Sequence, residues 1–224
     1  MGRAFPELQM VSFTLGGITA TPMAMIDDKG NGATFDTISN QWTEKLARAL
    51  TIQMGGSAMV SLYPVTAKEC KKYLIKNSLS LIHYIGCVVK EHSFNAYQVL
   101  AKELKGKHLF QARVRDVERT AGEGFTRGVV KLEGIGDFAG RNAKLDFQNE
   151  FLIAMEGDKV LATTPDLICL FDANTGEPVT TEVMKYGLSV NVLGLPCDPI
   201  WRSKEAIDLV GPKYFKYDIK YQPL

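Results

Sequence analysis

Along the first hundred residues, apolar positions recur mostly with a helical period, interrupted by short alternating runs. Val11 to Leu15 alternates and stops at Gly16-Gly17, which predicts a strand. Pro22 to Ile26 is a second apolar run. Asp27-Asp28-Lys29-Gly30-Asn31-Gly32 after it is turn chemistry, and Ala33 to Thr37 reads as the returning strand of a hairpin. Ser39 or Asn40 caps a predicted helix reaching about Ile52, with Trp42, Leu46, Ala49 and Leu50 on one face and Glu44–Arg48 as an i,i+4 pair. Gly55-Gly56-Ser57 breaks it before a buried-strand candidate, Ala58 to Tyr63. Thr66 and Glu69 have capping-box spacing. Ser78 to Lys90 and Asn95 to Leu104 read as two more helices, the first with Leu81, Ile82, Ile85 and Val89 inward.

From Lys107 the alternation becomes that of strands. Phe110, Ala112 and Val114 alternate with Gln111, Arg113 and Arg115. Short strands are predicted at Phe125 to Leu132, Ala143 to Phe147, Phe151 to Met155, Val160 to Thr163, Leu167 to Phe171 and Gly187 to Leu193. Glu156-Gly157-Asp158-Lys159 is a hairpin signal. The tail opens on Pro196 and Pro199, continues in a short helix from Ser203 to Leu209, and ends in Tyr214, Phe215, Tyr217 and Tyr221. The expected fold class is α+β, mixed. An N-terminal α/β part spans 1–105 and a β-rich, barrel- or sandwich-like part spans 106–195. A C-terminal loop and short helix over 196–224 return to the N-terminal part.

Composition narrows the function. A 224-residue chain with 46% apolar residues can bury a sizeable core. A formal net charge of +1 gathers neither phosphates nor an anionic membrane, so neither nucleic acid nor membrane is an expected partner. The N-terminus has no apolar signal region and no apolar run approaches membrane length, so the expected location is cytoplasmic. The four widely spaced cysteines read as reduced thiols. No nucleophile elbow, Walker loop, HExxH or GxGxxG occurs, and the three histidines share no metal-ligand spacing.

Four constellations carry possible chemistry. Arg3 and Glu7 suit an anion clamp or a plain surface pair. Met54-Gly55-Gly56-Ser57-Ala58 could present backbone N–H groups to a ligand or simply end a helix. Tight backbone packing is expected at Gly16-Gly17 and Gly55-Gly56, so Gly56→Val should destabilise. Thr163-Thr164-Pro165-Asp166 follows a strand, where Asp166 could hold a ligand amide or a metal, or form an Asx turn. Cys197-Asp198 lies in a proline-stiffened loop with Trp201 and Arg202. Asp198 would raise the Cys197 thiol pKa, which weakens a nucleophile reading against a site wall, a metal ligand or plain burial. Asp166 and Asp198 are expected to converge on one cleft.

These segments, together with Phe147-Gln148-Asn149-Glu150 and Asp172-Ala173-Asn174-Thr175-Gly176-Glu177-Pro178, resemble in order and spacing the S-methyl thiohydantoin desulfurase-like family, associated with hydantoinase/oxoprolinase proteins. The resemblance covers essentially the whole chain. It implies hydrolysis of a cyclic imide, hydantoin or S-methyl thiohydantoin, the latter releasing methanethiol. It implies Asp166, Asp198, Cys197 and Glu7 as catalytic candidates. Arg3, Gly55, Gly56, Ser57, Thr164 and Asn149 are substrate-binding candidates, and a divalent metal is a possible cofactor. Family members usually begin upstream of the segment that is Met1 here, so an incomplete site is expected. A non-catalytic subunit binding a hydantoinase-type partner is the alternative, and a homo-oligomer is expected in either case.

Overall fold

The computed structural model describes residues 12–121 and 126–224. The chain divides into two compact units, with the division falling between Lys76 and Asn77.

In the first unit, α1 (Ser12–Leu15), β1 (Met23–Ile26), β2 (Gly32–Phe35), α2 (Asn40–Gln53), β3 (Met59–Ser61) and α3 (Ala67–Tyr73) follow in order. The predicted hairpin forms, with Met23 opposite Phe35 and Ile26 opposite Gly32. Its turn is closed by the Asp27 carboxylate, which accepts from the N–H groups of Lys29 and Asn31 and from the Asn31 amide. β3 pairs on the other side of β1, giving the antiparallel order β2-β1-β3. Phe13, Met23, Met25, Ala47, Met54 and Tyr63 form the core. Thr66 and Glu69 make the predicted capping box.

Three expectations change here. Ser12–Leu15 is a helical turn, not a strand; Gly16 and Gly17 donate to the Phe13 and Thr14 carbonyls. Four alternating residues cannot separate the two periods. Ser39 caps α2 as expected, but the helix buries Thr43 and Ala47 and leaves Trp42 and Leu46 exposed. Thr43 and Ala47 are short side chains, which lets the helix backbone approach Met23 and Met25 closely. β3 is exposed along its length, and burial falls instead on Tyr63.

The second unit holds α4 (Ser78–His92) and α5 (Ala96–Glu103), then β4 (Lys107–Ala121), β5 (Thr126–Gly134), β6 (Asn142–Gln148), β7 (Glu150–Glu156) and β8 (Lys159–Thr163). It continues with β9 (Leu167–Asp172), β10 (Pro178–Val179), β11 (Ser189–Leu195) and α6 (Lys204–Val210). The strands make one antiparallel sheet in the order β10-β9-β11-β4-β5-β6-β7-β8. The expected barrel is not closed. After β8 the Thr164 N–H goes to Leu152 and the Asp166 N–H to Thr163, and β9 leaves that edge to pair with β11. One face packs Phe110, Val130, Leu145, Phe147 and Val192 into the main core. On the other, Val88, Ala96 and Leu100 meet Phe171, Leu193 and Leu195.

The change of pattern near 106 therefore marks the start of β4, while the compact unit begins at Asn77 with helices that pack on the sheet. On α4 the inward residues are Leu81, Ile85, Val88 and Val89, and Ile82 faces outward. The tail, expected to return to the N-terminal part, belongs to the sheet unit, with Trp201, Ala206, Val210 and Phe215 buried.

Candidate functional site

The chain 164–166 connects two strands that are not neighbours, and the side chains of Thr164 and Asp166 find their partners outside the sheet ladder. The loop and tail after β11 supply them. Asp166 is fully buried. Its Oδ1 accepts from the Cys197 N–H at 2.8 Å, and its Oδ2 accepts from the Tyr221 hydroxyl at 3.1 Å and the Leu224 N–H at 3.0 Å. The Arg202 guanidinium stands 3.6 Å from Oδ1 with its side chain 37% exposed. Beside it the Thr164 hydroxyl donates to the Val210 carbonyl at 2.8 Å. Burying a carboxylate is costly unless its oxygens find such hydrogen-bond donors.

This network sets the chemistry of its neighbours. Burial, and then the Asp166 charge, push the Cys197 thiol pKa up. Burial likewise holds the Tyr221 phenol well above its ordinary value, with Cys197 and Asp166 adding to the shift. At neutral pH both stay protonated. Cys197 is thus poorly set up as a nucleophile, and Arg202 is the network's charged group with solvent access.

The other candidates lie apart from this cluster or use their groups locally. The Asp198 carboxylate caps the turn Pro199–Arg202 by accepting from the Ile200 N–H at 3.0 Å. Asn149 occupies the β6–β7 turn at φ 64°, and its carbonyl accepts from the Thr181 hydroxyl. Gly55 and Gly56 belong to the first unit, where their N–H groups donate to Ile52 and Thr51, closing the end of α2. Those N–H groups are already used. An added Cβ at either glycine meets nothing within 4 Å. The tight packing expected at Gly16-Gly17 is found at Gly16, against the Tyr73 ring, and not at Gly17. Gly55 and Ser57 line a concavity of about 400 Å³ with Asp27, Lys29, Met54 and Met59. Arg3 and Glu7 lie outside the described residues.

Two further ionisable groups lie on the sheet of the second unit. His108 on β4 has its ring between Tyr97, at 4.8 Å, and Phe138, at 5.5 Å. Burial lowers its pKa, against opposing hydrogen bonds from Asn191 and Phe110. Asp146 on β6 is buried, and Lys144 stands 3.4 Å away. The Tyr217 phenol is pushed up to about 12 by burial and by the Asp146 charge.

Among the described residues, no three of His, Cys, Asp and Glu stand together as a metal-ligand group. The Asp166 oxygens already accept three hydrogen bonds and face a guanidinium, a poor fit to a divalent cation. Among the described residues no helix is long and apolar enough to cross a membrane.

A structure titled only as a protein from Chromobacterium violaceum shares this fold, with a TM-score of 0.79 and 19% identity. The alignment covers 99% of this chain and 64% of that one. The present chain thus spans a little under two thirds of that protein's length. A comparison with curated proteins finds no match. Residues 38–224 match the S-Me-THD-like C-terminal domain, and residues 1–37 match the S-Me-THD-like N-terminal domain. Two matched domains that together cover the chain from end to end place it in the S-Me-THD-like, S-methyl thiohydantoin desulfurase-like, family.

Proposed function

We propose that this protein has a thiohydantoin desulfurase-related role, binding and hydrolysing a five-membered cyclic imide or its S-methyl thio-analogue. The observation that carries the reading is the match to both family domains over residues 1–224. In the balanced reaction, water adds to the ring carbon bearing sulfur and the C–S bond breaks. One proton of the water leaves with the sulfur as methanethiol, and the ring becomes the hydantoin. Such a step needs a proton acceptor for water and a donor toward the ring.

The Asp166 cluster supports the donor half. Arg202, beside Asp166 and partly open to solvent, offers N–H groups suited to a ring carbonyl. Asp166 is then a positioning residue, holding the loop from Cys197 to Arg202. Cys197 serves as a protonated wall of the site. Running the reaction in ¹⁸O-labelled water tests this. The reading expects label in the hydantoin product and an equal amount of trapped thiol.

A second reading is favoured by one observation: the Asp166 oxygens already accept three hydrogen bonds and the Cys197 thiol is held protonated, so this cluster offers water no ready proton acceptor. In it, the protein binds the ring, or a hydantoinase-type subunit, without turnover. Ring binding by calorimetry with no thiol released selects that reading.

A further inference from the structure

His83 and Cys87 stand one turn apart on α4, and the Cys87 sulfur lies 3.9 Å from His83 Nδ1 and 4.0 Å from Nε2. Residues four apart share a helix face, the spacing by which paired helical side chains hold a metal ion. Two ligands on a tetrahedral zinc ion, with Zn–S about 2.3 Å and Zn–N about 2.1 Å, stand roughly 3.6 Å apart. The pair therefore needs to close by only a few tenths of an ångström. The opposite face of the helix is anchored: Val88 is buried, and Ile85 and Val89 pack in one cluster with it and with Phe171, Leu193 and Leu195. That anchoring fixes the backbone under both side chains, so little has to be ordered when an ion binds.

The pair is also accessible. His83 is exposed and Cys87 half-buried. Gly86 lies in the same patch, three residues after His83, and a Cβ there would meet nothing within 4 Å. Glu91, exposed one turn beyond Cys87, places a carboxylate charge on this side and offsets that of Lys90. Free cysteines are among the most buried residues, and one within reach of solvent beside an imidazole has metal chemistry that burial denies the others. We propose that His83 and Cys87 form a two-ligand site for one exchangeable divalent cation of the zinc class. On binding, neutral His83 gives a ring-nitrogen lone pair, and Cys87 releases its thiol proton to solvent and binds as thiolate. Water fills the two remaining tetrahedral positions. Among the described residues no third His, Cys, Asp or Glu stands with the pair, so the ion is held reversibly and not as a closed structural centre. The site does not depend on the ring hydrolysis.

Protection of the thiol by zinc tests it on the purified full chain, freed of metal by chelation. Iodoacetamide alkylation is followed at each cysteine by mass spectrometry. Zinc at ten times its half-saturating concentration leaves roughly one site in eleven free, so Cys87 alkylation should slow about tenfold and recover when a chelator is added. Cys70, half-buried in the other unit, should alkylate at an unchanged rate. His83→Ala, at an exposed helix position where alanine is well tolerated, should need at least about tenfold more zinc for the same protection. An unprotected Cys87 at about 1 mM zinc, equal protection in His83→Ala, or equal slowing at Cys70, would each overturn the proposal.

Discussion

Tyr221 donates its phenolic hydrogen to Asp166 Oδ2 at 3.1 Å, joining residues 55 positions apart in the chain. The Leu224 N–H reaches the same oxygen, and the Cys197 N–H takes the other. One buried carboxylate thereby fastens both the loop after β11 and the end of the tail.

Removing that acceptor should loosen both. Asp166→Ala leaves buried donors without a partner, and breaking a buried charge network costs about 3–5 kcal/mol. The expected outcome is a melting midpoint lower by roughly 10 °C, at about 2–4 °C per kcal/mol for a chain of this size. Limited proteolysis should then cut first between Pro196 and the C-terminus. An unchanged midpoint and proteolysis pattern would show that the tail is held by other contacts.

Alkaline pH gives an independent handle. Tyr217 is pushed up to about 12 from an ordinary value of 10.0, by burial first and then by Asp146, and Tyr221 shifts in the same direction. A raised folded pKa favours the protonated fold, so this contribution is fully present below pH 10 and is lost as pH rises through the folded values. Denaturation midpoints measured from pH 9 upward should fall, and more gently in Tyr217→Phe and Tyr221→Phe. Identical slopes in wild type and both variants would contradict the burial of these phenols.

Gly56 tests a different cause of instability. Its φ of 91° strains any L side chain, although an added Cβ would meet open space. Gly56→Ala should therefore cost about 1–2 kcal/mol through backbone conformation alone, and Gly56→Asn less. Equal losses for Ala and Asn would point to a lost contact. At Gly16 the clash with the Tyr73 ring predicts a loss that grows with side-chain size.

Much of the fold could be read from the sequence where local chemistry decides it. The Asp27 turn, the Ser39 cap, the Thr66–Glu69 box and the alternating strands of the sheet all form at their expected places. What could not be read depends on tertiary choice. α2 has two apolar faces, and only packing selects Thr43 and Ala47 over Trp42 and Leu46. The sheet stays open because β9 pairs with β10 and β11 and not with β8, a choice between distant strands. Of the candidate site, Asp166, Thr164, Cys197 and the Arg202 beside them gather at the tail. Asp198, Asn149, Gly55 and Gly56 use their polar groups in local turns and caps. The pairing of Tyr221 with Asp166 carried no local signal, since the two lie 55 positions apart.

The central claim is that this chain desulfurises a thiohydantoin ring, with Arg202 presented by Asp166 as the donor to that ring. The most direct measurement is methanethiol release from S-methyl thiohydantoin by the purified full chain, with Arg202→Gln assayed beside it at matched folded fraction. The account predicts thiol and hydantoin in equal amounts from the wild type, and a loss of about a hundredfold or more in Arg202→Gln. No thiol from folded wild-type protein, or undiminished release from the variant, would contradict it.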